Sequence, residues 1–247
     1  MNNSRSSRSR VDFCAAWLVI SGFSLVFNSG CAWVSHSDNV AGVGYFEQGN
    51  YAAAINKFQR AVEADPNDAD SYYNLAATYH RQGKIGNQQA MLQQAETYYH
   101  LCLDRNPDHR DCYRGLAVLL VEENRADDAF SLIQRWGEHS PSSPEPKIEL
   151  ARLFQEFGDK NAAQAHLQDA LSVAPDSPRA LAALGKLKEE QGDPTQALAV
   201  YQRSLASNRF QPEVEARVAT LQAAIPGASP VAPDGTRLVT TPTAPLR

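Results

Sequence analysis

The chain has 247 residues, of which 43% are hydrophobic, so it is able to bury a sizeable core. Acidic residues outnumber basic ones, with 28 Asp and Glu against 23 Lys and Arg, and the net charge at pH 7 is −5. Because nucleic-acid binding needs a strongly basic face, this balance argues against a nucleic-acid partner. The cysteines are too few for a dense disulfide framework; they are Cys14, Cys31, Cys102 and Cys112.

The N-terminal segment has the layout of a secretory signal peptide. Basic residues within 1–10 precede an apolar run over 13–27, and small residues follow it up to Cys31. Ser-Gly-Cys after an apolar run resembles the processing site of bacterial lipoproteins, which implies cleavage before Cys31 and attachment of lipid to its thiol. The chain departs from that family three residues before the cysteine, where Asn28 replaces the usual Leu.

We therefore expect residues 1–30 to be a signal peptide and 31–37 to be the lipid anchor and tether. The protein would then be exported and held by its lipid at the periplasmic face of a bacterial inner or outer membrane. One alternative is an uncleaved anchor helix, although the 15 apolar residues are fewer than the roughly 20 that span a bilayer. The other alternative is a soluble secreted protein.

From about Ser35 onward the chain repeats one helix-turn-helix unit. Segment 49–68 shows the pattern: a glycine turn, an apolar stripe at helical spacing, a stop at Pro66 and a capping residue, Asp68, for the next helix. A small residue opens the core face of each second helix, where it lets two helices approach closely. In all five units that residue is alanine, at Ala54, Ala95, Ala129, Ala163 and Ala197.

This pattern resembles the tetratricopeptide repeat, a 34-residue pair of helices, over about 35–211. The resemblance implies an all-α fold, a right-handed α-solenoid of five repeats. The amphipathic segment 212–225 fits the terminal cap that such arrays need. Segment 226–247, with scattered prolines, is expected to be a disordered tail or, alternatively, a ligand segment for a partner. The expected repeats span 35–68, 69–109, 110–143, 144–177 and 178–211.

The second repeat is seven residues longer than the others when the turns are aligned. The aligned turn residues are Gly49, Gly83, Asn124, Gly158 and Gly192. This alignment puts the extra residues in the second helix of the unit, which would begin near Asn87 and run to about Arg105. Seven residues are close to two helical turns, so the apolar face stays in register. The elongated helix is expected to be a neutral extension or a contact for a partner.

Two histidines and two cysteines, His100, Cys102, His109 and Cys112, lie close together in the chain. The repeat register places Cys102 near the end of one helix and Cys112 near the start of the next, with Cys102 facing inward. An exported protein meets oxidising conditions, which favours a disulfide; two buried thiols and a bound metal remain as alternatives. Because the spacing matches no zinc motif, we expect no metal site and no cofactor.

The family binds its partners in the concave groove that the first helices of its repeats form. By this resemblance, a groove row in this chain includes Tyr73, His80, Arg114, Arg152 and Lys186. Because the row holds three cations and no acid, we expect a cationic stripe suited to a protein or peptide segment that bears acids. The alternative is that the arginines pair with Asp111, Glu145 or Glu156 and bind nothing.

The chain contains no glycine-rich phosphate loop, no nucleophile elbow and no HExxH motif, so we do not expect an enzyme. Its layout resembles that of tetratricopeptide lipoproteins that act as pilotins or as envelope-assembly adaptors. We expect a lipid-anchored scaffold that binds a protein partner in its groove and supports assembly or localisation of an envelope complex. The alternatives are a carrier of a peptide or small ligand and a non-catalytic subunit of an envelope enzyme.

Overall fold

The computed structural model describes residues 24–225, and side chains from Ser35 onward. All regular structure in this range is helical, which confirms the predicted all-α solenoid of tetratricopeptide repeats. The expected tail over 226–247 and most of the expected signal peptide lie outside the described residues. The helices are α1 (Ser24–Glu47), α2 (Tyr51–Ala64), α3 (Ala69–Gly86), α4 (Gln89–Arg105), α5 (Arg110–Glu122), α6 (Ala126–His139), α7 (Glu145–Glu156), α8 (Lys160–Val173), α9 (Pro178–Glu190), α10 (Pro194–Ser207) and α11 (Pro212–Ala224).

Each first helix ends at a residue in the left-handed backbone region, where glycine and asparagine are the residues best tolerated. These residues are Gly49 (φ 75°), Asn87 (φ 49°), Asn124 (φ 61°), Gly158 (φ 82°) and Gly192 (φ 79°). A polar side chain then caps several of the second helices, as Asp159 does by accepting from the backbone N–H of Ala162 at 2.9 Å. The turn chemistry of the sequence therefore sets the spacing of the helix pairs.

The predicted turn of the second repeat is wrong by four residues. Gly83 lies inside α3 and is buried, and Asn87 closes that helix instead. The extra residues are therefore shared between α3 and α4, which have 18 and 17 residues, rather than added to the second helix alone. Gly83 is needed for a different reason: a Cβ there would lie 2.8 Å from the side chain of Leu92, so the two helices approach closely.

Small residues bring the paired helices together along the core. The five alanines predicted at the start of the second helices are all fully buried. Gly42 and Gly185 face aromatic rings so closely that a Cβ would lie 2.5 Å from the ring of Phe58 and 2.6 Å from that of Tyr201. In the first and fifth repeats, a large side chain of the second helix therefore packs against a position without a side chain on the first.

The described chain divides into two compact units, with the boundary inside α5 between Cys112 and Tyr113. In the first unit, α1 packs on α2, α2 on α3 and α3 on α4. In the second unit, α6 packs on α7, and α7 to α10 each pack on the next helix along the chain. Contacts between neighbours in sequence are what a solenoid requires.

The first helix is longer than the repeat pattern suggests. It is continuous from Ser24, so the segment 31–37, expected to be a lipid anchor and tether, is helical. Asp38 in the same helix is buried and accepts a hydrogen bond from Lys57 Nζ at 2.8 Å. Across residues 24–225, no helix combines the length and the apolar character needed to cross a membrane.

Candidate functional site

In the first unit, the predicted groove residues Tyr73 and His80 lie in an aromatic cluster rather than projecting alone. The ring of Tyr73 stacks on that of His109 with centroids 5.6 Å apart, and its centroid lies 6.3 Å from that of Tyr99. His80 meets the buried ring of Tyr99 edge to face at 6.2 Å. In this cluster of Tyr73, His80, Tyr99 and His109, three half-buried rings surround the buried ring of Tyr99.

A disulfide joins Cys102 at the end of α4 to Cys112 in the first turn of α5. Their Cα atoms are 6.5 Å apart, within the range that a disulfide spans, and both residues are fully buried. His109 lies beside the bond: its Nδ1 accepts from the backbone N–H of Cys112 at 3.2 Å, and its Nε2 lies 2.9 Å from Asp70 Oδ1. His100 is exposed on α4 and is not part of this group.

In the second unit, three arginines from successive first helices converge on one buried carboxylate. Glu149 on α7 is fully buried and accepts from Arg152 Nε at 2.9 Å and from Arg179 Nη2 at 3.1 Å. Arg114 Nε on α5 lies 3.4 Å from the same carboxylate. Burying one charge without partners is costly, so these three arginines are what keep Glu149 inside the protein.

The predicted cationic stripe is therefore not a row of free cations. Arg152 also pairs with Glu156 at 2.7 Å, and Arg179 also pairs with Glu145, so three glutamates balance the three arginines. These ion pairs agree with the pairing that the alternative expected. Glu145 and Glu156 are partners that this alternative had named, whereas the central acid, Glu149, was missed.

Lys186, the remaining cation of the predicted row, stays largely exposed. Its side chain is 72% exposed and lies 3.9 Å from Glu190. It borders an open pocket of about 550 Å³ between α9, α10 and α11. The pocket wall includes the small apolar side chains of Ala182, Ala183 and Val214. An apolar wall beside a lysine suits an apolar side chain with a polar or charged neighbour.

A polar group lies on the α10 and α11 side of the same pocket. Tyr201 donates from its hydroxyl to Glu189 at 2.8 Å, and Arg217 Nε donates to Glu189 at 3.0 Å. The hydrogen bond from Arg217 holds the pKa of Glu189 below its usual 4.5. Burial first, and then the bond to Glu189, raises the pKa of Tyr201 above 10.0. Glu189 therefore stays ionised and fixes both neighbours at the pocket.

The sequence pointed to only part of these sites. Lys186 was predicted to line the groove and borders this pocket, whereas a contribution of α11 was not predicted, because the terminal helix was interpreted as a cap alone. Glu149 was missed because acids were assigned to solvated helix surfaces. Its position directly before Leu150 in the apolar stripe of α7 was the available signal. Cys31, the expected lipidation residue, lies in α1, but its side chain is outside the described ones.

Comparison with known families finds tetratricopeptide repeats in both units. A profile described as TPR repeat matches residues 43–83, and one described as tetratricopeptide repeat matches 69–98. A further profile of the latter description matches 120–187 and 154–225. The matched ranges follow the helix pairs from α1 to α4 and from α5 to α11.

Among curated proteins, the chain is 25% identical over 112 residues to Hsp70-Hsp90 organizing protein 3 of Arabidopsis thaliana, which covers 45% of this chain and 19% of that protein. It is 23% identical over 128 residues to Hsp70-Hsp90 organizing protein 2 of the same organism, covering 52% and 21%. The chain thus matches only about a fifth of the length of these relatives.

Among solved structures, a thermophilic TPR protein of Thermus thermophilus aligns with a TM-score of 0.55 and 24% identity. The alignment covers 76% of this chain and 99% of that one. At this identity the likeness concerns the fold. The helix pairs, the repeat profiles in both units and this structural neighbour identify the chain as a tetratricopeptide repeat protein.

Proposed function

We propose that this chain is a lipid-anchored adaptor of the bacterial cell envelope that binds a protein partner and supports assembly or localisation of an envelope complex. The observation that carries the binding role is the open pocket between α9, α10 and α11. It combines an apolar wall with Lys186, whose side chain is 72% exposed. The same lining includes Glu189, Glu190 and Glu213, so a partner segment with an apolar anchor and a neighbouring polar or charged side chain fits this surface.

Two features support the envelope location. The basic and apolar order of the first thirty residues, ending in Ser-Gly-Cys31, is typical of a lipoprotein signal. The disulfide between Cys102 and Cys112 is a bond that persists in oxidising compartments such as the periplasm. The two features are independent, because one is a sequence pattern at the N-terminus and the other is a contact between α4 and α5.

The similarity to Hsp70-Hsp90 organizing proteins does not indicate which partner this chain binds. Members of the family that bind chaperones hold a peptide carboxylate with Lys, Asn and Arg side chains, and the matching first-repeat positions here are Asn39 and Val43. Asn39 Oδ1 already accepts from Asn74 Nδ2 at 2.8 Å, and Val43 offers no polar group. We therefore propose a partner recognised at the α9–α11 pocket instead.

A second candidate function is the carriage of a small ligand, since a pocket of about 550 Å³ is in the range that small molecules occupy. Native mass spectrometry of the protein released gently from its host distinguishes the two. Val214→Trp should fill part of the pocket with a large side chain. A small molecule that is bound to the wild type and absent from this variant would support the carrier function. A protein adduct without such a molecule supports the adaptor.

Fractionation and lipid labelling test the anchor. In a bacterial host, the wild-type chain should take up a radiolabelled fatty acid, lose the mass of residues 1–30 and sediment with the membranes. Cys31→Ala should remove the label, while Cys14→Ala, which changes the other N-terminal cysteine, should still be processed and labelled. An unlabelled wild-type chain that keeps its full precursor mass in the membrane fraction would overturn the lipid anchor and indicate an anchor helix.

A further inference from the structure

We propose that reduction of the Cys102–Cys112 disulfide opens a zinc site made of Cys102, Cys112 and His109. The two sulfur atoms and a ring nitrogen of His109 all lie within 4.8 Å of one another. Thiolate and imidazole are the ligands that zinc prefers, and zinc–ligand bonds of about 2.0–2.3 Å fit a group of this size. The sequence spacing matched no zinc motif because the three ligands come from the end of one repeat and the start of the next.

The hydrogen bonds of His109 select the nitrogen that faces the metal. In the neutral ring, Nδ1 accepts from the N–H of Cys112, so Nε2 carries the proton and donates to Asp70 Oδ1 at 2.9 Å. In zinc sites, the ring nitrogen of a ligating histidine that does not bind the metal commonly donates a hydrogen bond to a carboxylate. This bond orients the ring and makes the histidine a stronger ligand. When zinc binds, Nδ1 would give up its hydrogen bond from the backbone N–H of Cys112 and coordinate the metal instead.

The ring is held in this orientation by its surroundings. Tyr73 stacks on it at 5.6 Å, and the side chain of His109 is only 10% exposed. Both cysteines are fully buried, with their sulfur atoms within 4.8 Å of a ring nitrogen of His109. The histidine is thus oriented before any metal arrives, whereas the two sulfurs, which are bonded to each other here, must separate on reduction before both can bind one ion. The fourth position is left for water or a small anion.

The disulfide and the metal site exclude each other, because a sulfur bonded to sulfur is no longer a thiolate ligand. A dithiol reductant gives two electrons and two protons to the disulfide, yielding two thiols and becoming a disulfide itself. Zn²⁺ then displaces the two thiol protons to form two Zn–S bonds. Oxidation by a second disulfide reverses the exchange and releases Zn²⁺. The site therefore reports the redox state of its compartment.

Cobalt(II) binding to the full chain tests the proposal. Cys14→Ser and Cys31→Ser leave Cys102 and Cys112 as the only cysteines. A phosphine then reduces their disulfide: it takes the oxygen atom of one water molecule and becomes a phosphine oxide, and the two protons of that water go to the two sulfurs. The reduced chain should bind one Co²⁺, with the d–d bands and thiolate charge-transfer band of a tetrahedral site, and Zn²⁺ should displace it. The oxidised chain should show neither band.

Variants of the surrounding residues decide the assignment. His109→Ala should lose the cobalt spectrum, while His100→Ala, an exposed histidine on α4, should keep it. Asp70→Asn should keep the spectrum but weaken affinity by about 10- to 100-fold. No cobalt spectrum in the reduced chain, or wild-type affinity in His109→Ala, would overturn the proposal. If circular dichroism shows that His109→Ala does not fold, the test is made with Asp70→Asn, a change at an exposed residue. A Co²⁺ affinity of Asp70→Asn equal to that of the wild type would then overturn the proposal.

Discussion

The two units build the same helix pairs but connect successive repeats with different chemistry. In the first unit, a covalent bond ties Cys102 at the end of α4 to Cys112 at the start of α5. In the second unit, the buried carboxylate of Glu149 ties α7 to Arg114 on α5 and Arg179 on α9. The repeat pattern thus specifies the apolar core of each pair, whereas the covalent and ionic contacts between repeats differ from one unit to the other.

Reversing the charge of two arginines should have the largest effect. Arg114→Glu with Arg152→Glu would leave Glu149 buried among like charges, so we expect a loss of at least about 3–5 kcal/mol in the free energy of unfolding. Urea denaturation measures this loss.

Lys147→Glu is the matched control, since it reverses a charge on the same helix away from Glu149. It should change stability by less than about 0.5 kcal/mol. If the double variant unfolded at the same urea concentration as this control, the burial of Glu149 would not require Arg114 and Arg152. The ionic contacts of the second unit would then not stabilise it, which would contradict the contrast drawn between the two units.

Removal of the disulfide should have the next largest effect. Cys102→Ser with Cys112→Ser frees a loop closed at a sequence separation of 10, which should lower the free energy of unfolding by about 2–3 kcal/mol. Reduction of the wild-type chain in the presence of a chelator should cause a similar loss, and reduction of the double variant should cause none. Equal stability of the oxidised and reduced wild type would show that this bond does not stabilise the first unit.

Glycine-to-alanine changes should have a smaller effect that is equal in the two units. Gly42→Ala and Gly185→Ala each place a methyl group against a buried ring, of Phe58 and Tyr201 respectively. We expect each to cost about 1–3 kcal/mol in thermal or chemical unfolding. Gly44→Ala, a helical position with open space around it, should instead stabilise by about 0.5–1 kcal/mol. A stabilising Gly185→Ala would contradict the close packing described for α9 and α10.

The smallest effect concerns pH. Because Arg217 holds the pKa of Glu189 below 4.5 in the folded protein, the pair stabilises the fold at pH values above 4.5. That contribution is lost as the pH falls from 4.5 through the lowered folded pKa. Arg217→Gln should raise the pKa of Glu189 toward 4.5, measured by NMR titration of its carboxyl carbon. A wild-type pKa at or above 4.5 would contradict the contact.

The core of this protein was predictable because it depends on residue size at fixed intervals. The five helix-opening alanines and the cap at Ser177, whose Oγ accepts from Ala180 at 3.3 Å, follow from local rules. The turn at Asn87 was missed because asparagine and glycine both tolerate a left-handed backbone and Gly83 matched the repeat interval better. The meeting of three arginines at Glu149 was missed because Arg114 and Arg179 lie on other repeats, at least about 30 residues away in the chain, where no local pattern links them to it.

Site-specific crosslinking tests the adaptor role most directly. A photoreactive amino acid at Ala182, on the pocket wall of α9, would be compared with the same residue at Ala165, an exposed position on α8. Both proteins would be irradiated in the native envelope. We expect one discrete protein adduct at position 182, reduced when Lys186→Glu is added, and none at 165. No adduct at 182, or adducts of equal yield at both positions, would contradict partner binding at the α9–α11 pocket.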